Sequence, residues 1–255
     1  MTAHARLVKA PDETSRAPLK RSGDVPAWIA TPTAERIIGA LNFAQATADV
    51  AVIFGSAGTG KTWTAREYSR RGGDVWHATM TPATSGIVPA LEEICAAIGI
   101  SKCNGAAALH RSILLQLTGT DGLLIVDEAH HLSATALDQM RAIHDAAGVG
   151  LVLMGSHAVF TKLTAGEDAA AMDRLRSRVG RRLRLDNVAA DDVAAFADAW
   201  GIHDARAIKT LTEISQKPGA LRVLCKTLRL ASIAGSGQCI TDAQVRAAWR
   251  ELGGA

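Results

Sequence analysis

The octapeptide GSAGTGKT, Gly55 to Thr62, lies directly behind the apolar run VAVIF (50–54) and directly ahead of a helical pattern. Strand, glycine-rich loop and helix in that order leave few folds open. Glycines let a backbone curl until successive N–H groups converge on one point, where the helix N-terminus adds the positive end of its dipole. A loop of that kind cradles phosphate. In the pattern G-x-x-x-x-G-K-[ST], Lys61 is placed to reach the outer phosphates of a nucleotide, and the Thr62 hydroxyl is placed to ligate Mg2+. The pattern assigns Gly55, Ser56, Ala57, Gly58, Thr59, Gly60, Lys61, Thr62 and Trp63 to nucleotide binding.

Four further runs read as strands: DVWHAT (74–79), GLLIVD (122–127), VGLVLMG (149–155) and RRLRLD (181–186). Most are apolar throughout, as parallel strands covered by helices on both faces are. Helical patterns alternate with them, the first starting after Thr31-Pro32-Thr33 with Ile37, Ile38, Leu41 and Ala44 on one face. The expectation is a P-loop NTPase domain of α/β class, with a five-stranded parallel sheet, over residues 28–187. From about residue 189 the strands stop and helices follow at 190–200, 204–215, 218–235 and 241–252, the last opened by a Thr241/Gln244 capping box. Residues 188–255 therefore read as a small, all-helical lid domain. Residues 1–27 carry Pro11, Pro18 and Pro26 among Arg6, Lys9, Arg16, Lys20 and Arg21, and read as a flexible basic arm.

A nucleotide hydrolase needs a carboxylate at the end of a second apolar strand, and GLLIVDEAHHL supplies two. Asp127 is placed to hold Mg2+ through its water shell, and Glu128 to orient or deprotonate the attacking water. Residues 127–130 also spell DEAH, the signature of a helicase class built on two tandem α/β domains. This chain has room for one, so that reading is set aside, and His130 and His131 read as loop residues near the site or, in preference, as simply solvated.

Composition excludes more than it assigns. A formal charge of +3 names no partner, and 4% aromatic residues argue against base stacking as a dominant mode of nucleic-acid contact. Cys95, Cys103, Cys225 and Cys239 form no CxxC pair and read as reduced, mostly buried thiols. No apolar run is long enough to span a bilayer and the N-terminus lacks a signal-peptide core, so a cytoplasmic location is expected.

The segments TPTAERI, VIFGSAGTGKT, LLIVDEAHHL, LVLMGSH, RLRSRVGRRLRL and KPGALRVL, in this order, resemble the AAA+ ATPases. Within them the chain is similar to the transposition-helper branch, the Mu B-like proteins with their Tn7-type and Tn5053-type relatives, from about Thr31 to residue 252. The resemblance implies ATP as the nucleotide and a γ-phosphate sensor after the fourth strand, Ser156 or else His157. It implies a second sensor, Arg222, in Gly219-Ala220-Leu221-Arg222. It also implies an arginine finger supplied to a neighbouring subunit, Arg178 first, with Arg174 and Arg176 as alternatives. The implied function is an ATP-dependent, largely sequence-independent double-stranded DNA-binding ATPase. It would oligomerise as a ring or helical filament and act as target selector and activator for a transposase. Lys102, the arm cations, Thr81, Thr84 and the arginine block are candidate DNA contacts, although Thr81 and Thr84 suit helix capping better. In the RRLRL half of that block, Leu183 and Leu185 should face inward and Arg182 and Arg184 outward; on an edge strand those charges discourage edge pairing. The competing class is a AAA+ ATPase acting on protein partners, as the ExeA-type assembly ATPases do.

Overall fold

The computed structural model describes residues 28–101, 105–165, 169–235 and 239–254. The basic arm, Lys102 and Cys103 lie outside the described residues. Five parallel strands form one sheet: β1 (Val50–Gly55), β2 (Val75–Thr79), β3 (Leu123–Asp127), β4 (Gly150–Gly155) and β5 (Val179–Leu185), in the order β2-β3-β4-β1-β5. β1, β3 and β4 are buried at every residue, as their unbroken apolar runs require.

β5 is an edge strand, and its alternation is the expected one. Leu183 and Leu185 are buried while Arg182 and Arg184 are exposed. The strand starts two residues earlier than the sequence predicts, because a bulge carries the pairing from Val50–Val179 to Ala51–Arg181 and leaves Gly180 over. A Cβ on Gly180 would stand 2.0 Å from Asp49 Oδ2, so a larger residue there has to displace the Asp49 side chain.

Helices α1 (Pro32–Thr47) and α2 (Lys61–Arg70) cover one face, with Ile37, Leu41, Ile53, Ile125, Val152 and Leu183 at the centre of their core. The other face is covered by α3 (Ile87–Ile98), α4 (Ala106–Leu117), α5 (Ala134–Ala147), α6 (His157–Ala165) and α7 (Ala169–Arg176), packed around Leu91, Ile113, Leu124, Met140 and Leu153. A third core belongs to α8 (Ala190–Ala199), α9 (Ala205–Ser215), α10 (Ala220–Ala234) and α11 (Asp242–Glu251). The predicted capping box at Thr241 and Gln244 opens α11. The described cysteines are thiols rather than disulfides, but only Cys95 is buried; Cys225 is half-buried and Cys239 exposed, which corrects the expectation of buried thiols.

One buried carboxylate fastens the helical region to the sheet layer. The Thr31 side chain caps Ala34 N–H at the start of α1, leaving the Thr33 N–H without an intrahelical partner. Asp192 of α8, fully buried, accepts that N–H at 2.8 Å and the Thr33 hydroxyl at 2.6 Å, and takes the Ala189 N–H at 3.1 Å. Asp192→Ala strands the buried Thr33 N–H and hydroxyl and removes the partner of the part-buried Ala189 N–H, so a loss of about 2–4 kcal/mol in urea unfolding is expected. A loss under about 0.5 kcal/mol would mean that water replaces the carboxylate there.

Candidate nucleotide-binding site

β1 lies inside the sheet between β4 and the edge strand β5, so the loop after it opens at the carboxyl edge of the strands, where α/β sheets bind ligands. Gly58 and Gly60 take φ of +83° and +94°, which lets the loop curl before α2 begins at Lys61. Lys61 Nζ lies inside the curl, donating to Gly55 O at 3.1 Å, Ser56 O at 2.8 Å and Thr59 Oγ1 at 3.3 Å. Burial pushes its pKa down, against the pull of the Glu128 and Asp127 carboxylates, with Arg222 adding to the depression. Groups from α2, the end of β3 and α10 therefore share one electrostatic site.

The helical region reaches this site through its KPGA turn. Leu221 N–H donates to Gly58 O at 3.1 Å, and a Cβ on Gly58 would stand 2.1 Å from Gly219 O. The glycine at 58 is thus needed for the approach of the turn as well as for φ. Gly58→Ala would push that turn off the loop, and a fall in nucleotide affinity of at least about tenfold is expected by titration calorimetry. An affinity within twofold of the parent would show that the contact is dispensable. Arg222, one residue after Leu221, is exposed; its N–H donates to Gly219 O at 2.9 Å, while its guanidinium makes no hydrogen bond or ion pair among the described residues.

Asp127 ends β3 almost wholly buried. Burial pushes its carboxyl up, but the His77 ring, the Thr62 hydroxyl and the Glu128 N–H together hold it below the usual carboxylate range. Its Oδ1 accepts the Glu128 N–H at 2.8 Å, while buried Oδ2 lacks a hydrogen-bond partner. An orphaned, ionised oxygen beside a threonine hydroxyl fits Mg2+, a hard cation that keeps several waters and takes few protein ligands. His77 Nε2, 3.6 Å from Oδ2, is a neighbour that the motif reading passed over. The one hint of it is a histidine in the middle of the otherwise apolar run VWHAT.

The pair His130 and His131 is a correction. Both are half-buried rather than solvated, because the chain makes a 3-10 turn over Ala129–His131. Their rings lie 4.1 Å apart, and Lys162 of α6 holds the carbonyls of His130 and Leu132. His130 Nδ1 is 3.2 Å from Glu128 Oε2 and accepts the Ser156 N–H at 3.5 Å. Glu128 itself sits at φ +53°, a left-handed conformation that turns its side chain out of the strand direction.

Of the two sensor candidates, Ser156 follows the strand that lies between β1 and β3, and His157 points elsewhere. His157 Nε2 is 3.0 Å from Asp186 Oδ1, and its ring meets Phe54 edge-on at 5.9 Å. Trp63, on the first turn of α2, is more than half exposed. The hydroxyl of buried Thr84 accepts the Thr81 N–H at 2.8 Å and donates to Thr81 O, so it serves its own turn.

The three finger candidates lie together on a different face. Arg178 pairs with Asp145 through Nε at 2.9 Å, and Arg141 bridges Asp145 to Asp138 at 2.6 Å to each. Arg174 pairs with Asp138 at 3.1 Å, completing a ladder of alternating charge between α5 and the segment behind α7. Among the described residues Arg176 pairs with Asp173 of its own helix.

The glycine loop, the carboxylate pair ending β3 and the strand order define a P-loop ATPase of the AAA class. An AAA domain family model matches residues 44–163, and the model described as Mu B transposition protein, C terminal, matches residues 177–252. The chain is 38% identical over 230 residues to ATP-dependent target DNA activator B of Escherichia phage Mu, covering 89% of this chain and 74% of that one. Identity to the Mu-like prophage FluMu DNA transposition protein B of Haemophilus influenzae is 37% over 207 residues, covering 80% and 72%. The chain belongs to the Mu B family of transposition proteins.

Among solved structures, the Walker-type ATPase of Pyrococcus abyssi aligns with a TM-score of 0.61 at 11% identity, over 87% of this chain and 71% of that one. NtrX from Brucella abortus, in complex with ATP, aligns at 0.52 with 17% identity, over 91% and 61%. At such identities these two speak for the fold alone.

Proposed function

We propose that this chain is an ATP-dependent, largely sequence-independent binder of double-stranded DNA that assembles on its target and activates a transposase. The observation that carries this reading is identity to a protein named ATP-dependent target DNA activator over nine-tenths of the chain. In this reading the loop Gly55–Thr62 and Trp63 hold ATP, with Lys61 on the outer phosphates. Thr62 and Asp127 hold Mg2+, which when bound neutralises charge on the phosphates. Glu128 orients the attacking water and takes its proton, Ser156 senses the γ-phosphate, and Arg222 reaches it from the helical region. Because the KPGA turn rests on Gly58, loss of the γ-phosphate is felt directly by α10.

Arg178 acts on the ATP of the next subunit. Its guanidinium is half-exposed and its pairing with Asp145 is a surface ion pair, worth about 1 kcal/mol at most, so exchange for a phosphate partner costs little. Hydrolysis is accordingly slow in isolated subunits and stimulated by assembly into a ring or filament. Contact with DNA is made by cations repeated along that assembly, which makes it sensitive to salt.

Filter binding of random-sequence duplex DNA, with and without ATP, tests the reading. Retention that needs ATP and falls steeply between low and physiological salt is expected. Retention that ATP does not change would sink the DNA-binding function and favour an ATPase acting on protein partners.

A further inference from the structure

The water-activating carboxylate has a partner that hydrolysis motifs do not include. Nδ1 of His130 stands between two groups, Glu128 Oε2 at 3.2 Å and the Ser156 N–H at 3.5 Å. One ring nitrogen cannot serve both. Carrying a proton it donates to the carboxylate; bare, it accepts from the amide.

The surroundings hold the ring in that place. Lys162 Nζ clamps the turn by its carbonyls, reaching Leu132 O at 2.8 Å, and His131 packs against the ring on one side. A Cβ at Gly155 would lie 2.9 Å from His130 Nδ1, so glycine at the end of β4 is what admits the ring. Burial first, then the neighbouring His131, favour the uncharged ring against the pull of the Glu128 carboxylate, and an uncharged ring has two neutral tautomers. Passing between them takes one proton from Nε2 to water and returns one from water to Nδ1, and the ring is partly open to solvent.

We propose that His130 is a positioning residue which sets the Glu128 carboxylate for the attacking water and ties that setting to the strand end bearing Ser156. With Nδ1 protonated, Glu128 is drawn toward the β4 end. When a shift at Ser156 brings its N–H onto Nδ1, the carboxylate is released toward the nucleotide. This rests on the reading of Glu128 as the water-activating group.

The test uses the full chain with Mg2+, ATP and duplex DNA, and measures nucleotide Kd and kcat separately. His130→Ala should lower kcat by about tenfold or more with Kd within about twofold, the size expected for loss of orientation at a general base. The amide of His130→Asn reaches the position of Nδ1, donating to Glu128 and accepting from Ser156, and should restore kcat to within about threefold of the parent. His130→Gln places its amide near Nε2 and should stay at the alanine level. Full turnover in the alanine variant, equal behaviour of Asn and Gln, or a Kd that rises in step with the fall in kcat would each overturn the proposal. If the alanine variant melts early, the Asn and Gln pair decides. Glu128→Gln separates the two ideas. Turnover retained in that variant defeats the base reading itself, whereas turnover lost there but intact in His130→Ala defeats only the role of His130.

Discussion

Lys61→Ala is expected to lose nucleotide binding by two to four orders of magnitude while keeping the fold. The ammonium reaches into the curl of the loop, where it holds Gly55 O and Ser56 O. Those bonds show how closely the side chain is directed at the space where phosphates converge. Two charge-assisted contacts to phosphate at about 1.5–3 kcal/mol each amount to about 3–6 kcal/mol, which is about 10²–10⁴ in Kd. No residue of the site compensates. Asp127 and Glu128 carry charge of the wrong sign for phosphate, and Arg222 approaches from the helical region rather than from within the loop. Titration with a fluorescent ATP analogue measures the loss, and urea unfolding checks the fold. A Kd within about tenfold of the parent would show that backbone N–H groups, not the lysine, dominate the cradle.

The parts of this molecule that were legible in the sequence are those where one local requirement forces one residue type. The loop needs glycine at positive φ and a lysine after it, and the runs at 50–54, 122–127 and 149–155 are apolar throughout because their strands are buried on both faces. The edge position of β5 shows in its alternation, since one face of RRLRL meets solvent. What stayed hidden depends on residues far apart in the chain. Asp192 reads as an ordinary first-turn acid of α8, yet it closes the start of α1 159 positions away. Gly58 reads as a phosphate-loop glycine, and its second duty appears only when Gly219 is packed on it. His130 reads as a loop residue after a strand, because β4 lies beside β3 only through the crossover between them. Periodicity carries no information about such juxtapositions.

The arginine block shows the same division in its sharpest form, and one substitution tests it. Arg178→Ala should bind ATP with unchanged affinity and lose about 10³-fold or more in turnover, the scale on which a trans arginine offsets charge in phosphoryl transfer. Its guanidinium lies on the ladder with Asp145, Arg141 and Asp138 and pairs with neither Asp127 nor Glu128, which is what a residue acting on a neighbour's nucleotide requires. A subunit-mixing experiment distinguishes this from simple damage to the fold. The Arg178→Ala chain keeps a complete nucleotide site but offers no finger, and the Lys61→Ala chain offers a finger but binds no nucleotide. Each alone should be inactive. Mixed on duplex DNA, neighbours of opposite type form complete interfaces, and turnover should return to about a quarter of the parent rate if the two assort at random and each interface acts alone. Activity that never returns on mixing would place Arg178 in its own subunit's site or in the ion-pair ladder alone. Normal turnover in Arg178→Ala would move the role to Arg174, which shares the ladder through Asp138, or to Arg176, whose pairing with Asp173 of its own helix leaves it easiest to redirect.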